Sequence, residues 1–542
     1  MFYRRSYIFL FLLPISSLFF FSCQENLQKE TDPSNSIQLS SKVDMNLLQN
    51  ELIQKFDSNA TAPFFVWEKD TVNQLVPFKE LYHEGNSYWF NSKGINSNAT
   101  DLLQELRNLQ YDGIDTTRYK LNEFEKITQQ LINSSSPEAV FSYETKLSST
   151  FLLAIHDLII GTTNNTNKEI KNKNDSLWSA TEIFKLAIKN NNIHEAFETM
   201  RPQHTWYKHF RNEYQSLSQR NMQLTSFEGL KDSITIGDSS FAIYQLRKKL
   251  YAETKLPIDT HLMIWNQEAL DGLKKYQYIN NIKATGKIDS ITINKLKSNT
   301  NEKLKQLALN MERMRWLKHD FQQPFVWVAI PQMVLFYFGN DSIEFTMNVV
   351  VGRPSRPTPG IDSKIENIVF SPPWVVPPTI MREEVVPGIA RRGGSYLARR
   401  GLRAYDRRGK VVPPSAINSG NFRNFLISQA PGYNSSLGEV KFNMPNPWSI
   451  YMHDTPHRED FVKANRALSS GCVRLQKPKD FASFVLKDTA QYSRRQVDSI
   501  CKLRKTIFVP VKQNIDVHFV YLTNAVDSIG NVLYLKDIYK WD

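Results

Sequence analysis

Cysteine is scarce in this chain: Cys23, Cys472 and Cys501 are the only three in 542 residues. That excludes the disulfide framework on which many small exported domains rely. The apolar run near the start, Tyr7 to Phe21, is fifteen residues long and broken by Pro14 and serines, too short for a comfortable membrane span. Between Met45 and Ile236 there is no metal-ligand or nucleophile constellation. His83, His156, His194, His204 and His209 are scattered there and are expected to be core or surface residues. His453 and His457 are four apart, but Pro456 disfavours a helix between them, and no glutamate stands where a zinc-protease signature needs its general base. A zinc site joining both histidines to Cys472 is the metal alternative. Otherwise His457 faces solvent or contacts substrate, and neither a metal nor an organic cofactor is expected.

What is present limits the answer further. Hydrophobic residues at 41% with 12% aromatics exclude wholesale disorder, and the length suits about three or four domains, each with its own core. A formal charge of +13 invites an anionic partner: nucleic acid, anionic lipid or a carboxylate-rich polymer. The N-terminus chooses among these. Arg4 and Arg5 precede the apolar run and small, polar Ser22 ends it, so residues 1–22 read as an export signal. Export argues against a nucleic-acid role. The junction Phe19-Phe20-Phe21-Ser22-Cys23 resembles a lipoprotein signal-peptidase site, with Phe20 where leucine is usual. That resemblance implies a lipidated Cys23 and a membrane partner reached through the lipid; an ordinary cleaved signal is the alternative. Residues 23–44, polar and rich in Ser, Asn, Glu and Lys, read as a flexible tether.

Hydrophobic periodicity divides the rest. Over residues 45–237 it is helical, as in Leu102-Leu103-Leu106-Leu109 and Phe151-Leu152-Ala154-Ile155-Leu158-Ile159, and the bland reading is a helical scaffold. Residues 238–300 suggest three short helices, marked by Ile243-Leu246-Leu250, by Ala269-Leu270-Leu273-Tyr276 and by Ser290 to Leu296 with Asp289 as N-cap. The pattern Gln245-Leu246-Arg247, Ala269-Leu270, Tyr276-Gln277 and Thr285-Gly286-Lys287-Ile288-Asp289 resembles the three-helix peptidoglycan-binding module, the alternative being a spacer that has lost the groove. Residues 301–320 form a connecting helix with Leu304, Leu307, Met311, Met314 and Leu317 on one face. From 321 to 542 the pattern turns to strands: Phe325 to Ile330, Val334 to Phe338, Ile343 to Val351, Val369-Phe370 and Trp448 to Met452, with a helix predicted over Pro478 to Tyr492. The fold class is therefore α+β and multi-domain.

His453 falls at a strand end and Cys472 lies nineteen residues later in a loop, Ser469-Ser470-Gly471-Cys472-Val473-Arg474. A thiol beside an imidazole is an acyl-transfer nucleophile in waiting, because the imidazole can take the proton that keeps the sulfur unreactive. Gly471 keeps bulk away from an approaching carbonyl, and nearby N–H groups are oxyanion donors. Spacing alone does not separate this from a buried structural cysteine.

The ordered motifs Pro431-Gly432, Leu437-Gly438, Lys441-Phe442, Pro445-Asn446, His453-Asp454-Thr455-Pro456 and Ser470-Gly471-Cys472-Val473-Arg474 resemble L,D-transpeptidases with a YkuD-type catalytic domain. They look most like the large Gram-negative branch (the YcbB type), over residues 240 to 540. The resemblance implies Cys472 as nucleophile, His453 as base, and the Asp454 backbone carbonyl as the group setting the imidazole tautomer. It implies oxyanion donors near Gly471 and Cys472, peptidoglycan stem tetrapeptides as substrate, and a periplasmic address. Arg474 is the candidate carboxylate anchor or a plain ion pair; Ser469, Ser470, Thr455 and Tyr451 complete the candidate substrate-binding set. Two departures from the wider family stand out, Ser470 for a usual His and Asp454 for a usual Gly; with Ser470 no second imidazole is available, so His453 is expected to be the sole base. A Cys472–Cys501 disulfide would silence the nucleophile; Cys501 is expected to pack as a small apolar residue. Over about residues 380–430 runs a basic insertion holding Arg382, Arg391, Arg392, Arg399, Arg400, Arg403, Arg407 and Arg408. It is read either as a solvated face or as a mobile cap offering cations to stem carboxylates. Water or a protein amine as acyl acceptor, or a non-catalytic wall-binding lipoprotein, are the other functional readings. Oligomeric state is left undecided.

Overall fold

The computed structural model describes residues 36–39, 41–56, 80–133, 136–163, 180–219, 234–296, 300–317, 319, 321–340, 342–418 and 420–542. The export signal, Cys23 and most of the expected tether lie outside them. Among the described residues no helix is long and apolar enough to cross a membrane.

The N-terminal unit is helical, as its periodicity predicts, and its core gathers Leu102, Leu106, Phe151, Ile155 and Leu158 around the long helix Pro137–Ile160. One detail differs from expectation. Ile37–Gln38, placed in the tether by composition, pairs antiparallel with Gly94–Ile95, which also pairs with Phe90–Asn91. Ile95 is fully buried, so a buried partner draws a short polar segment into a three-stranded sheet. The small helical domain forms as predicted: Phe241–Thr254, Gln267–Ile279 and Ser290–Leu296 enclose Leu246, Leu250, Leu273 and Tyr276. Asp289 caps the third helix by accepting from the Thr292 N–H at 2.8 Å.

The connecting helix, Thr300–Arg315, is a hub. Its Asn310 amide donates to Thr523 Oγ1 and Asn524 Oδ1 at 2.9 Å each and accepts from the Thr523 N–H at 2.7 Å. Its Lys303 ammonium pairs with Glu253 of the small domain and lies over the Tyr276 and Tyr534 rings.

The C-terminal unit is built on an eleven-stranded sheet. The strand Phe325–Ala329 explains why its sequence is apolar without alternation. Val326 and Val328 face the catalytic-unit core, while Phe325, Trp327 and Ala329 face the helix Thr205–Gln219 and the connecting helix. A strand buried on both faces needs no polar side. Trp448–Tyr451, expected to be strand, is loop, and only Met452–His453 pairs. There the Asn446 side chain accepts from the Trp448 and Ile450 N–H groups, offering the backbone an alternative to the ladder. The helix expected over Pro478 to Tyr492 is broken: Pro478–Leu486 ends at Lys487, whose φ is 52°, and Thr489–Tyr492 restarts after Asp488.

The basic insertion is a folded subdomain. Val385, Ile389, Leu397, Leu402, Ala404 and Ile427 form its own core, beside a four-stranded sheet running Val411–Val412, Leu402–Tyr405, Leu426–Gln429, Trp374–Val375. Gly388 packs so closely on Tyr396 that a Cβ there would sit 2.3 Å from the ring.

Trp327 is fully buried, stacked on His204 at 4.6 Å and in edge contact with Trp206 and Phe321. Trp327→Ala should cost about 3–5 kcal/mol of stability, the usual range for deleting a core aromatic, in equilibrium urea denaturation; a loss under about 1 kcal/mol would mean this interface does not hold the helices to the sheet.

Candidate active site

Two short strands lie at the centre of the site. Met452–His453 pairs in parallel with Val473–Leu475, in the register Met452 to Val473 and His453 to Arg474. Met452 and Val473 are fully buried in the core. Because side chains alternate across a strand, His453 and Arg474 turn to the opposite face, together with Cys472 and Tyr451. The neighbouring strand Val440–Asn443 sets Lys441 opposite His453, with Val440 and Phe442 in the core. Cys472, His453, Arg474, Tyr451 and Lys441 all line one cleft of about 970 Å³.

The cysteine loop is tightly braced. Gly471 has φ +116°, a conformation that side chains rarely adopt, and a Cβ there would press on Ile450 at 3.1 Å. Ser469 Oγ donates to the Cys472 carbonyl at 2.6 Å and accepts from the Gly471 N–H at 3.1 Å. Thr358 Oγ1 donates to the Gly471 carbonyl at 2.7 Å. The Gly471 N–H is thus engaged, which leaves the Ser470 and Cys472 N–H groups without a hydrogen-bond acceptor among the described residues, and Ser469 braces the loop while bordering the cleft. Cys501 and Cys472 are both free thiols, and Cys501 is buried, directing its sulfur to the Glu439 carbonyl at 3.8 Å.

His453 is held by the residue that follows it. Its Nδ1 lies 2.5 Å from the Asp454 carbonyl oxygen. A carbonyl only accepts, so Nδ1 carries the proton and Nε2 keeps its lone pair. Asp454 supplies more than that oxygen. Its carboxylate accepts from the Thr455 N–H at 2.7 Å, Arg458 at 2.6 Å and the Glu439 N–H at 2.9 Å, tying the histidine turn to the start of the adjacent strand. Gly438 must be glycine beneath it, since a Cβ would meet Asp454 Cγ at 2.4 Å.

The electrostatics favour a neutral pair. Burial, then the Arg474 charge, lower the His453 pKa to about 3, so the imidazole is an uncharged base near neutral pH. Burial raises the Cys472 thiol above its ordinary value, opposed by hydrogen bonds from Tyr451 and by the charges of Lys441 and Arg474. The thiol and the imidazole are therefore both favoured in their uncharged forms near neutral pH.

The remaining candidates separate by place. Arg474 faces the cleft and also pairs with Asp460 at 3.2 Å. Ser470 lines the cleft and accepts from Arg356 at 3.0 Å. Thr455 does not line it: buried, it accepts from the His457 N–H at 3.2 Å, bracing the turn. His457 is exposed at the rim beside Glu459, and among the described residues no group of three His, Cys, Asp or Glu could hold a metal ion. Of the eight insertion arginines only Arg400 lines the cleft; the others are exposed. Sequence reasoning missed Arg356, Trp374 and Trp448 as cleft walls, and passed over Lys441 as a motif letter. Lys441 Nζ sits 4.1 Å from the centroid of the Tyr451 ring, a half-buried cation whose signal was its place between core-facing Val440 and Phe442.

Comparison with known proteins agrees with this geometry. Residues 323–498 match the family model of the L,D-transpeptidase catalytic domain, YkuD, and residues 78–213 match a scaffold domain. The match to a YkuD-type L,D-transpeptidase catalytic domain thus falls on the C-terminal unit, and the scaffold match on the helical unit before it. A curated protein of Haemophilus influenzae, provisionally named an L,D-transpeptidase, is 35% identical over 240 residues, 44% of this chain and 48% of that protein. The chain therefore spans about half the length of that relative. Two solved structures were also found, the avibactam carbamoyl enzyme of Ldtfm (9% identity, TM-score 0.19, 37% of this chain and 49% of that one) and an L,D-transpeptidase from Stackebrandtia nassauensis (13%, 0.19, 54% and 96%). Scores that low carry no argument.

Lys441→Met should slow alkylation of Cys472 by iodoacetamide about three- to tenfold near pH 8, since removing a neighbouring cation raises a thiol pKa. Intact-mass kinetics measure this. An unchanged rate would show that the ammonium does not act on the sulfur.

Proposed function

We propose that this protein is a cysteine L,D-transpeptidase that cross-links peptidoglycan stem peptides. The observation that supports this most is the cleft that Cys472 shares with a neutral His453, whose Nδ1–H is tied to the Asp454 carbonyl. In this reading His453 Nε2 takes the Sγ proton as the sulfur attacks the carbonyl of the third residue, a diamino acid, of a tetrapeptide donor. The tetrahedral oxyanion is held by the Cys472 N–H. His453 then returns the proton to the departing amine, D-alanine leaves, and a thioester remains on Cys472. An amine of a neighbouring stem attacks the thioester, His453 removes its proton, and a 3-3 cross-link forms as the thiol is regenerated. No metal or organic cofactor enters any step.

The surroundings suit that chemistry. Arg474 and Lys441 oppose charge on the imidazole and favour it on sulfur, so they assist the direction in which the proton moves. Trp374, Trp448 and Tyr451 give the cleft flat apolar walls for peptide backbone and methyl groups. Substrate of this kind lies outside the cytoplasm, in the periplasm of a Gram-negative cell. The lipid anchor proposed at Cys23 would fix the enzyme to a membrane there. The small helical domain, by its resemblance, would hold peptidoglycan near the cleft.

Incubation with a purified tetrapeptide donor should release D-alanine and leave a thioester adduct on Cys472. Cys472→Ala should lose the adduct entirely and keep the fold by circular dichroism. An adduct on that variant, or no D-alanine from the intact protein, would reject the reading. Cross-linked dimers in the products distinguish stem amines from water as acceptor. Because His453 stays neutral down to about 3, acylation should not fall between about pH 7 and pH 5, whereas iodoacetamide alkylation should keep rising to about pH 9 and beyond as the raised thiol ionises. A plateau in alkylation by about pH 7 would mean a preformed ion pair instead.

A further inference from the structure

We propose that Arg353, Arg356 and Arg400 form a carboxylate-binding subsite beside the cysteine loop, occupied here by Glu384 of the inserted subdomain and taken over by a carboxylate of the incoming donor. This rests on the reading above that the donor is a stem tetrapeptide. Three guanidinium groups from two parts of the fold converge on one side chain. Arg356 Nη1 lies 3.2 Å from Glu384 Oε1, Arg353 Nη2 3.5 Å from the same oxygen, and Arg400 Nη1 3.6 Å from Oε2. Arg353 and Arg356 follow the long strand Ser342–Gly352 of the catalytic sheet, whereas Glu384 and Arg400 belong to the insertion.

The position of the cluster ties it to the chemistry. Arg356, Glu384 and Arg400 all line the cleft that holds Cys472. Arg356 also donates to Ser470 Oγ at 3.0 Å, two residues before the candidate nucleophile. A donor with its scissile carbonyl at Cys472 carries a free carboxylate within one residue of that bond on D-alanine, and a second where the diamino acid is a dicarboxylic one. A planar guanidinium fork selects such groups.

The cluster is also built for exchange. Glu383 pairs with Arg356 and Arg382, so four guanidinium groups face two carboxylates, and a surplus of positive charge remains for another anion. Two of the three pairs to Glu384 are open to water, with Arg353 38%, Arg400 52% and Glu384 30% exposed against 12% for Arg356, and exposed pairs of this kind hold weakly. Glu384 stands on a π-turn, Met381–Val385, a rare conformation that recurs at functional sites. Glu384 thus acts as an internal stand-in for substrate, and its displacement frees the insertion from the Arg353–Arg356 loop as the donor enters.

The test compares D-alanine or D-alaninamide release from three tetrapeptide donors: the free acid, one amidated on the D-alanine carboxyl, and one amidated on the free carboxyl of the diamino acid. Glu384→Gln should lower KM for the free acid about three- to tenfold with kcat little changed, and Arg356→Gln should raise it about tenfold, the size of one charge-assisted pair. One amidated donor should escape both effects, which identifies the carboxylate bound. Equal shifts for all three donors, or no shift with Glu384→Gln, would overturn the subsite. If the unmodified protein turns over no donor, the functional reading fails rather than this one. Binding of the same peptides to Cys472→Ala, with and without Glu384→Gln, by isothermal titration then decides: tighter binding of the free acid alone supports the subsite, and unaltered binding rejects it.

Discussion

The parallel pairing of Met452–His453 with Val473–Leu475 is the constraint on which the candidate site depends. Two strands of two and three residues carry the imidazole, the guanidinium and, one residue before the second strand, the thiol. Since side chains alternate, a slip of one residue would send Cys472 or His453 into the core and bring Met452 or Val473 to the cleft. Short strands specify register poorly by themselves. Here it is fixed by the burial of Met452 and Val473 and by the strands on either side, Val440–Asn443 and Ser342–Gly352.

Around that pairing the protein arranges charge with economy. The thiol and the imidazole are both held neutral by burial, and the nearby cations, Arg474 and Lys441, are placed where they resist an imidazolium and favour a thiolate. The Asp454 carbonyl fixes which imidazole nitrogen keeps its lone pair, and the Asp454 carboxylate fixes the carbonyl by anchoring the turn to Glu439 and Arg458. One residue thereby links the tautomer to the sheet.

The supporting architecture keeps the sheet rigid from behind. The strand Phe325–Ala329 is packed on both faces, and the connecting helix joins scaffold, small domain and catalytic unit through Asn310, Lys303 and Arg315. Rigidity there contrasts with the front of the cleft. The inserted subdomain has its own small core and meets the Arg353–Arg356 loop through partly exposed ion pairs, which exchange more readily than packed apolar surface.

Much of this was legible in the residues themselves. Apolar periodicity marked the helices of the scaffold and of the small domain, because burying one face demands a repeat near 3.6 residues; the apolar run at Phe325 marked a strand, and the structure showed it covered on both faces. Cys472 and His453 stood out as candidates by residue type, whereas the backbone conformation that calls for glycine at 471 appeared only on folding. Other features arose only on folding. Ile37–Gln38 became a strand because its partner lies more than fifty residues away, and Thr455 and Ser469 proved to be braces because the hydroxyls found backbone partners nearer than the cleft. Arg356 and Lys441 looked ordinary in the sequence. Their importance lies in which charges surround them, and a linear order of residues does not contain that distance; the chain determined the reacting groups, and the packing of the sheet decided which of them meet.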